Sequence, residues 1–110
     1  MERPIKGHPD YKVTDKGEVI STKWNKVRVL RQDTSTGYPR VNIDGKKRYV
    51  ADLVAEHFLN KPLNPDYKIF YIDGDTENLE VDNLVWLSPS KIQELSHYTV
   101  EYRKQVLGKW

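Results

Sequence analysis

An Asp44-Gly45 pair separates two short runs, Tyr38-Pro39-Arg40-Val41-Asn42-Ile43 and Lys46-Lys47-Arg48-Tyr49-Val50. Asp-Gly between alternating segments is the strongest short-range hairpin signal, because a tight turn of the right twist needs residues that tolerate positive φ. It commits the middle of the chain to antiparallel β structure. Upstream, residues 11–14 and 18–21 flank a second turn signal, Asp15-Lys16-Gly17, and Val27-Arg28-Val29-Leu30 also alternates. The alternation predicts that Arg28, Arg40, Lys46 and Arg48 share an outer face while Val27, Val29, Val41, Ile43 and Val50 point inward.

The apolar period changes at residue 51. Leu53, Val54 and Phe58 fall on one helical stripe of residues 51–59, and Pro62 and Pro65 end it. Residues 68–72 and 84–87 read as strands on either side of an acidic loop, 73–82. Ser88-Pro89 is an N-cap with Pro at the first helical position. It predicts one helix from 89 to about 107, stopped by Gly108, with the stripe Ile92, Leu95, Thr99, Tyr102 and Val106. The expected fold is α+β: a small N-terminal β-sheet, then a ββα unit with a longer C-terminal helix. A β-rich part, 1–50, and a second part, 51–110, would form one compact domain.

The charge is divided along the same boundary. Residues 1–50 carry 12 Lys and Arg against 6 Asp and Glu, whereas residues 51–110 carry 6 against 10. A basic half suits nucleic acid, and an acidic half argues against DNA wrapping the whole molecule. With no cysteine, the chain has no disulfide framework and no thiolate metal site. No run approaches the roughly 20 apolar residues of a membrane helix. The opening MERPIKGHPD lacks the apolar core of a secretory signal, so a reducing cytoplasm is the expected location.

Three segments together carry a resemblance. Gly7-His8-Pro9-Asp10-Tyr11-Lys12-Val13-Thr14-Asp15-Lys16-Gly17-Glu18-Val19 resembles the "GY..Y.VSN.G.V" opening of phage-type HNH homing endonucleases. Gly37-Tyr38 followed by residues 50–58 looks like that family's "GY … VHRLVAEAF". Ile69-Phe70-Tyr71-Ile72-Asp73-Gly74-Asp75, Asn78 and Asp82-Asn83-Leu84-Val85-Trp86 look like "VNHIDGD..NN...NL.W". The resemblance covers about residues 3–92. It implies a ββα unit clasping one divalent metal, and in a phage-encoded protein the cytoplasm would be the host cell's. It also implies where the chemistry should sit. The family's general-base His falls on Tyr71, the preceding ligand on Phe70, the helix ligand on Ile92 and the upstream His on Ala51. Asn83 is kept, and in the family it mainly bridges the loop between the strands. The loss of four polar positions implies a dead centre that needs neither metal nor cofactor.

The expected function is therefore a non-catalytic phage or mobile-element protein that binds DNA or a nucleic-acid-processing protein, with an inhibitory or regulatory effect. The alternatives are an active nickase with an unconventional base and a DNA-binding repressor. Candidate nucleic-acid contacts are Lys26, Arg28, Arg31, Arg40, Lys46, Lys47 and Arg48, with Lys23 in the same basic set and Tyr38 and Tyr49 interleaved. Candidate protein contacts are Phe70, Tyr71, Asp73, Asp75, Tyr98 and Tyr102, with Trp110 nearby, and the last helix is a candidate homodimer surface. The acidic loop lacks EF-hand spacing and reads as a solvated turn. His8 reads as a loop residue, His57 as a packing residue and His97 as part of the last helix.

Overall fold

The structure is a computed structural model describing residues 1–108. Strands β1 (Glu2–Ile5), β2 (His8–Thr14), β3 (Val19–Ser21) and β4 (Arg28–Val29) form an antiparallel sheet in that order. A hairpin of β5 (Arg40–Ile43) and β6 (Lys46–Tyr49) leads into helix α1 (Val50–Phe58). A second hairpin, β7 (Lys68–Tyr71) and β8 (Leu84–Leu87), is followed by α2 (Pro89–Leu95) and α3 (Val100–Leu107). The β5–β6 turn has the expected geometry, with φ of 50° at Asp44 and 86° at Gly45.

Helix α1 organises the main core. It buries Val50, Ala51, Leu53 and Val54 against Ile5, Tyr11, Val13, Val19, Val41, Ile43, Leu79 and Leu84, and Ala55 is buried as well. Burying Val50, Leu53 and Val54 contributes about 5–8 kcal/mol, an upper bound because the unfolded chain hides part of that surface. A smaller core holds Phe70, Ile72, Leu87 and Leu95, with Val85, Ile92 and Leu107 packed on it. The β2–β3 turn docks on the acidic loop: Val81 N–H donates to the Asp15 carbonyl at 2.8 Å. Gly17 makes that approach possible, since its φ is +87° and a Cβ there would lie 2.4 Å from the Leu79 Cβ.

Two expectations are corrected. Val41, Ile43 and Val50 are buried as the alternation predicts, but Lys46 and Arg48 lie opposite Ile43 and Val41 and so share no face with Arg40, and Val27 and Val29 are 79% and 60% exposed. Register pairs Ile20 with Val29 and core-facing Ser21 with Arg28. Directly opposed residues share a face, so the phase of β4 is the reverse of the alternation reading. A two-residue edge strand has no apolar face long enough to fix its own phase. The preceding turn, Lys23–Asn25, sets it instead.

The predicted long helix is two helices. Ser96 Oγ donates to the Ile92 carbonyl at 2.6 Å, and Thr99 Oγ1 accepts the Tyr102 N–H at 3.2 Å as the N-cap of α3. Hydroxyl side chains here compete with continuous backbone pairing. Of the predicted stripe, Leu95 is buried and Ile92 packs on the smaller core, whereas Thr99 is a cap and Tyr102 and Val106 are each 43% exposed. His97 lies in the turn between the helices, not on a helix. Gly108 ends α3 at φ 68°, as expected, while Trp110 lies outside the described residues.

Candidate functional site

Strands β7 and β8 and helix α2 bring the HNH-like positions together. Phe70 is 7% exposed and packs in the smaller core, on which Ile92 from α2 also rests. This overturns Phe70 as a surface contact for a protein partner. Ala51 lies in the first turn of α1 and faces the main core. Tyr71 is half-buried beside Tyr38, their ring centroids 6.2 Å apart. Burial, then the Asp52 carboxylate and Tyr38, pushes the Tyr71 phenol up to about 12. At pH 7 such a phenol is ionised in about one molecule in 10⁵, which makes it a very poor general base. Asn83 is buried and bridges the loop: its Oδ1 accepts the Asp73 N–H at 2.9 Å and its Nδ2 donates to the Asn78 carbonyl at 3.0 Å.

Sequence reasoning missed Arg103. Its guanidinium lies 5.3 Å from the centre of the Phe70 ring. Nε donates to the Leu95 carbonyl at 2.9 Å, one terminal nitrogen to Ile72 at 3.1 Å and the other to Ser96 at 3.3 Å. Helix α2 stops at Leu95, so two of these carbonyls lie at its C-terminal end, where a cation is favoured, that of Leu95 also accepting the Tyr98 N–H at 3.1 Å. Arg103 therefore folds α3 back onto the ββα unit. The residues at the family's metal position do not fit a divalent cation: carbon occupies the ligand positions at Phe70 and Ile92, and a guanidinium lies against Phe70. No other trio of His, Cys, Asp or Glu suited to a metal occurs among the described residues.

The basic set divides by its partners. Asp33 holds Arg40 at 2.8 Å and Lys47 at 3.1 Å, and Glu56 holds Arg48 at 3.1 Å. The Ser35 N–H, then Lys47 and Arg40, keep the Asp33 carboxyl far below the usual carboxylate range. Lys23 pairs with Asp44, which also takes His8 Nδ1 at 2.7 Å. Lys23, then His8, lower the Asp44 pKa. His8 is thus a strand residue with a carboxylate partner, not a loop residue. Lys26, Arg28, Arg31 and Lys46 are exposed and have no carboxylate partner among the described residues. Three of these four fall between residues 26 and 31. Tyr38 and Tyr49 are 48% and 45% exposed.

The remaining candidates are placed as follows. Asp73 and Asp75 make local turns, accepting the N–H groups of Asp75 and Glu77 at 2.8 and 2.9 Å. Burial raises the Asp73 pKa, but hydrogen bonds from Asn78, Asp75 and Asn83 outweigh it and the net shift is downward. His57 Nδ1 meets the Leu53 carbonyl at 2.8 Å and Nε2 accepts the Lys6 N–H at 3.0 Å, as suits a packing residue. Tyr98 and Tyr102 stack at 4.5 Å between centroids and are 47% and 43% exposed.

Comparison with known proteins bears on this arrangement. Residues 3–44 match the NUMOD4 motif. The chain is 37% identical over 91 residues to the H-N-H endonuclease F-TflI of Escherichia phage T5, a match covering 77% of this chain and 46% of that protein. The HNH homing endonuclease I-HmuI, solved in work on its DNA binding and cleavage, superposes with a TM-score of 0.72 at 25% identity, over 96% of this chain and 65% of I-HmuI. In sequence and in fold the chain is similar to phage HNH endonucleases. It spans just under half the length of F-TflI and about two thirds of I-HmuI. In this chain the β7–β8 hairpin and α2 carry Phe70, Tyr71 and Ile92, side chains that are apolar or phenolic.

Proposed function

We propose that this HNH-like protein binds duplex DNA through the segment 23–31 and does not hydrolyse it. The observation that carries the reading is the clustering in sequence of Lys26, Arg28 and Arg31, exposed and free of carboxylate partners among the described residues, in the basic half of a chain whose fold resembles that of an HNH homing endonuclease. Cations already neutralised within the protein release fewer counterions on reaching phosphate, so the unpaired ones dominate affinity. Hydrolysis would need a base, worth roughly 10²–10⁴ in rate, and metal stabilisation of the leaving oxygen. Tyr71, Phe70 and Ile92 supply neither. The test pairs fluorescence anisotropy of a labelled duplex across a salt series with supercoiled-plasmid nicking in Mg²⁺ and Mn²⁺. Salt-dependent binding without nicking is the expected result. Nicking that EDTA and Tyr71→Phe both abolish would overturn it in favour of an unconventional nickase.

A second reading is inhibitory capture of a basic nucleic-acid-processing protein. It is favoured by the acidic side chains near Tyr71: Asp52, whose pKa burial and then Glu56 raise, with Asp73 and Asp75 in the loop after β7. A pull-down from host lysate that survives nuclease treatment would support this reading over the first.

A further inference from the structure

The turn Lys23–Asn25 contains two non-glycine residues in the left-handed region, Trp24 at φ 61° and Asn25 at φ 56°. Asparagine tolerates that region, whereas a bulky aromatic residue is strained there. Trp24 gains no burial in return, since it is 87% exposed. The turn is nonetheless firmly held. Thr22 N–H and Oγ1 donate to the Asp10 carbonyl at 2.8 and 3.1 Å, Lys26 N–H donates to the Lys23 carbonyl at 3.1 Å, and Lys23 is tied to Asp44 and lies 5.3 Å from the Tyr11 ring centre. The surrounding structure thus fixes a strained backbone that holds the largest side chain of the segment out in water. Strain maintained without a packing return is a mark of a working position. The residues that follow are also solvent-exposed: Val27 and Val29 on one face of β4 and Arg28 on the other, with the unpaired cations Lys26 and Arg31 on either side in sequence. Apolar area flanked by uncompensated positive charge complements a polyanion whose interior is aromatic.

We propose that Trp24 is a wedge that stacks against a base step of bound duplex DNA, an inference that rests on the DNA-binding reading above. Lys26, Arg28 and Arg31 hold the phosphates beside it. Wedges of this kind partly unstack a step, and the bend they create brings more phosphate against the protein. The indole face requires no particular base, so the contact adds affinity without strict sequence choice.

The experiment uses the full chain and three variants, Trp24→Ala, Trp24→Phe and Trp24→Gly. They are titrated onto a duplex carrying 2-aminopurine, whose emission rises when it is unstacked. The parent raises that emission. Trp24→Ala binds about tenfold more weakly, within the roughly 5- to 150-fold that base–aromatic stacking spans per base. Its salt slope stays that of the parent, because the phosphate contacts remain. Trp24→Phe keeps most of the affinity and the emission change. Trp24→Gly loses both yet melts no lower than the parent, since glycine adopts the turn without strain. Binding by Trp24→Ala within twofold of the parent would overturn the proposal. So would a loss of affinity accompanied by a lower melting temperature, which would make Trp24 a structural residue. A parent with no salt-dependent binding at all would sink the DNA reading itself, and the unchanged salt slope of Trp24→Ala separates the two failures.

Discussion

Replacing Lys26, Arg28 and Arg31 together by Gln tests whether ion pairing within the protein decides which cations meet DNA. All three are exposed and unpaired among the described residues, so their removal leaves no carboxylate stranded. Each phosphate contact contributes about 0.9 to the slope of log K against log salt. Three contacts should therefore lower the slope by up to about 2.7. Over a fourfold salt interval that slope is worth about 40-fold, so parent and variant should differ most at low salt and converge as salt rises. The control is Lys47→Gln with Arg48→Gln, whose charges Asp33 and Glu56 already engage; its slope should fall by clearly less than the 1.8 that two free contacts would give. Glu56→Gln, which frees Arg48, should steepen the slope. Anisotropy on one duplex at five salt concentrations measures all of these. Equal slope losses for the control pair and for any two of the three unpaired cations would refute the reasoning.

Other expected outcomes follow from the packing. Gly17→Ala adds a Cβ 2.4 Å from the Leu79 Cβ at a φ of +87°; it should cost at least about 2 kcal/mol, seen as a lower urea midpoint with an unchanged m-value. Tyr71 is neutral in the fold up to about 12, above an unfolded value near 10. The stability this provides is fully present below pH 10 and is lost as pH rises through 12. Two units would correspond to about 2.7 kcal/mol, and partial exposure reduces this to about 1–2 kcal/mol. Tyr71→Phe should flatten that alkaline limb of a stability–pH curve measured by urea unfolding.

Most of the fold was legible because local chemistry and pattern agreed. Asp44-Gly45, Ser88-Pro89 and Gly108 each mark a boundary through one backbone requirement, and the structure has a boundary at each. The change of period at residue 51 marks α1 for the same reason. Failures came where tertiary contacts chose between close alternatives. Nothing in Val27-Arg28-Val29-Leu30 reveals that a left-handed turn at Trp24 precedes it, and that turn reverses the phase of β4. Ser96 and Thr99 carry a local signal for the break between α2 and α3 that the apolar stripe outweighed, and Arg103 reaching back to Leu95 and Ser96 is visible only in the fold. The basic residues were visible as charges, but their engagement was not. Asp33 and Glu56 lie seven and eight residues from Arg40 and Arg48 and become partners only in the folded chain.

Arg103 also changes what restoring the HNH positions would do. Phe70→Asp, Tyr71→His and Ile92→Asn would return the family's polar groups to the hairpin and α2, yet a metal would still meet the guanidinium stacked over position 70. At about 5 Å, with the effective dielectric of a partly buried pair, the new carboxylate would be attracted to Arg103 by about 3 kcal/mol. A divalent ion at a similar distance would be repelled by about twice that. The triple variant should therefore form an internal ion pair and bind Mn²⁺ weakly, with calorimetry showing little heat. Adding Arg103→Gln removes the competing charge while keeping an amide that can donate to one of the carbonyls at the end of α2. Mn²⁺ affinity should then rise by at least about tenfold, less than the several kcal/mol of Coulomb energy because α3 loses part of its anchorage. Tight Mn²⁺ binding by the triple variant with Arg103 intact would show that the arginine swings aside at little cost. The guanidinium would then be a replaceable brace, not the charge that keeps a metal out.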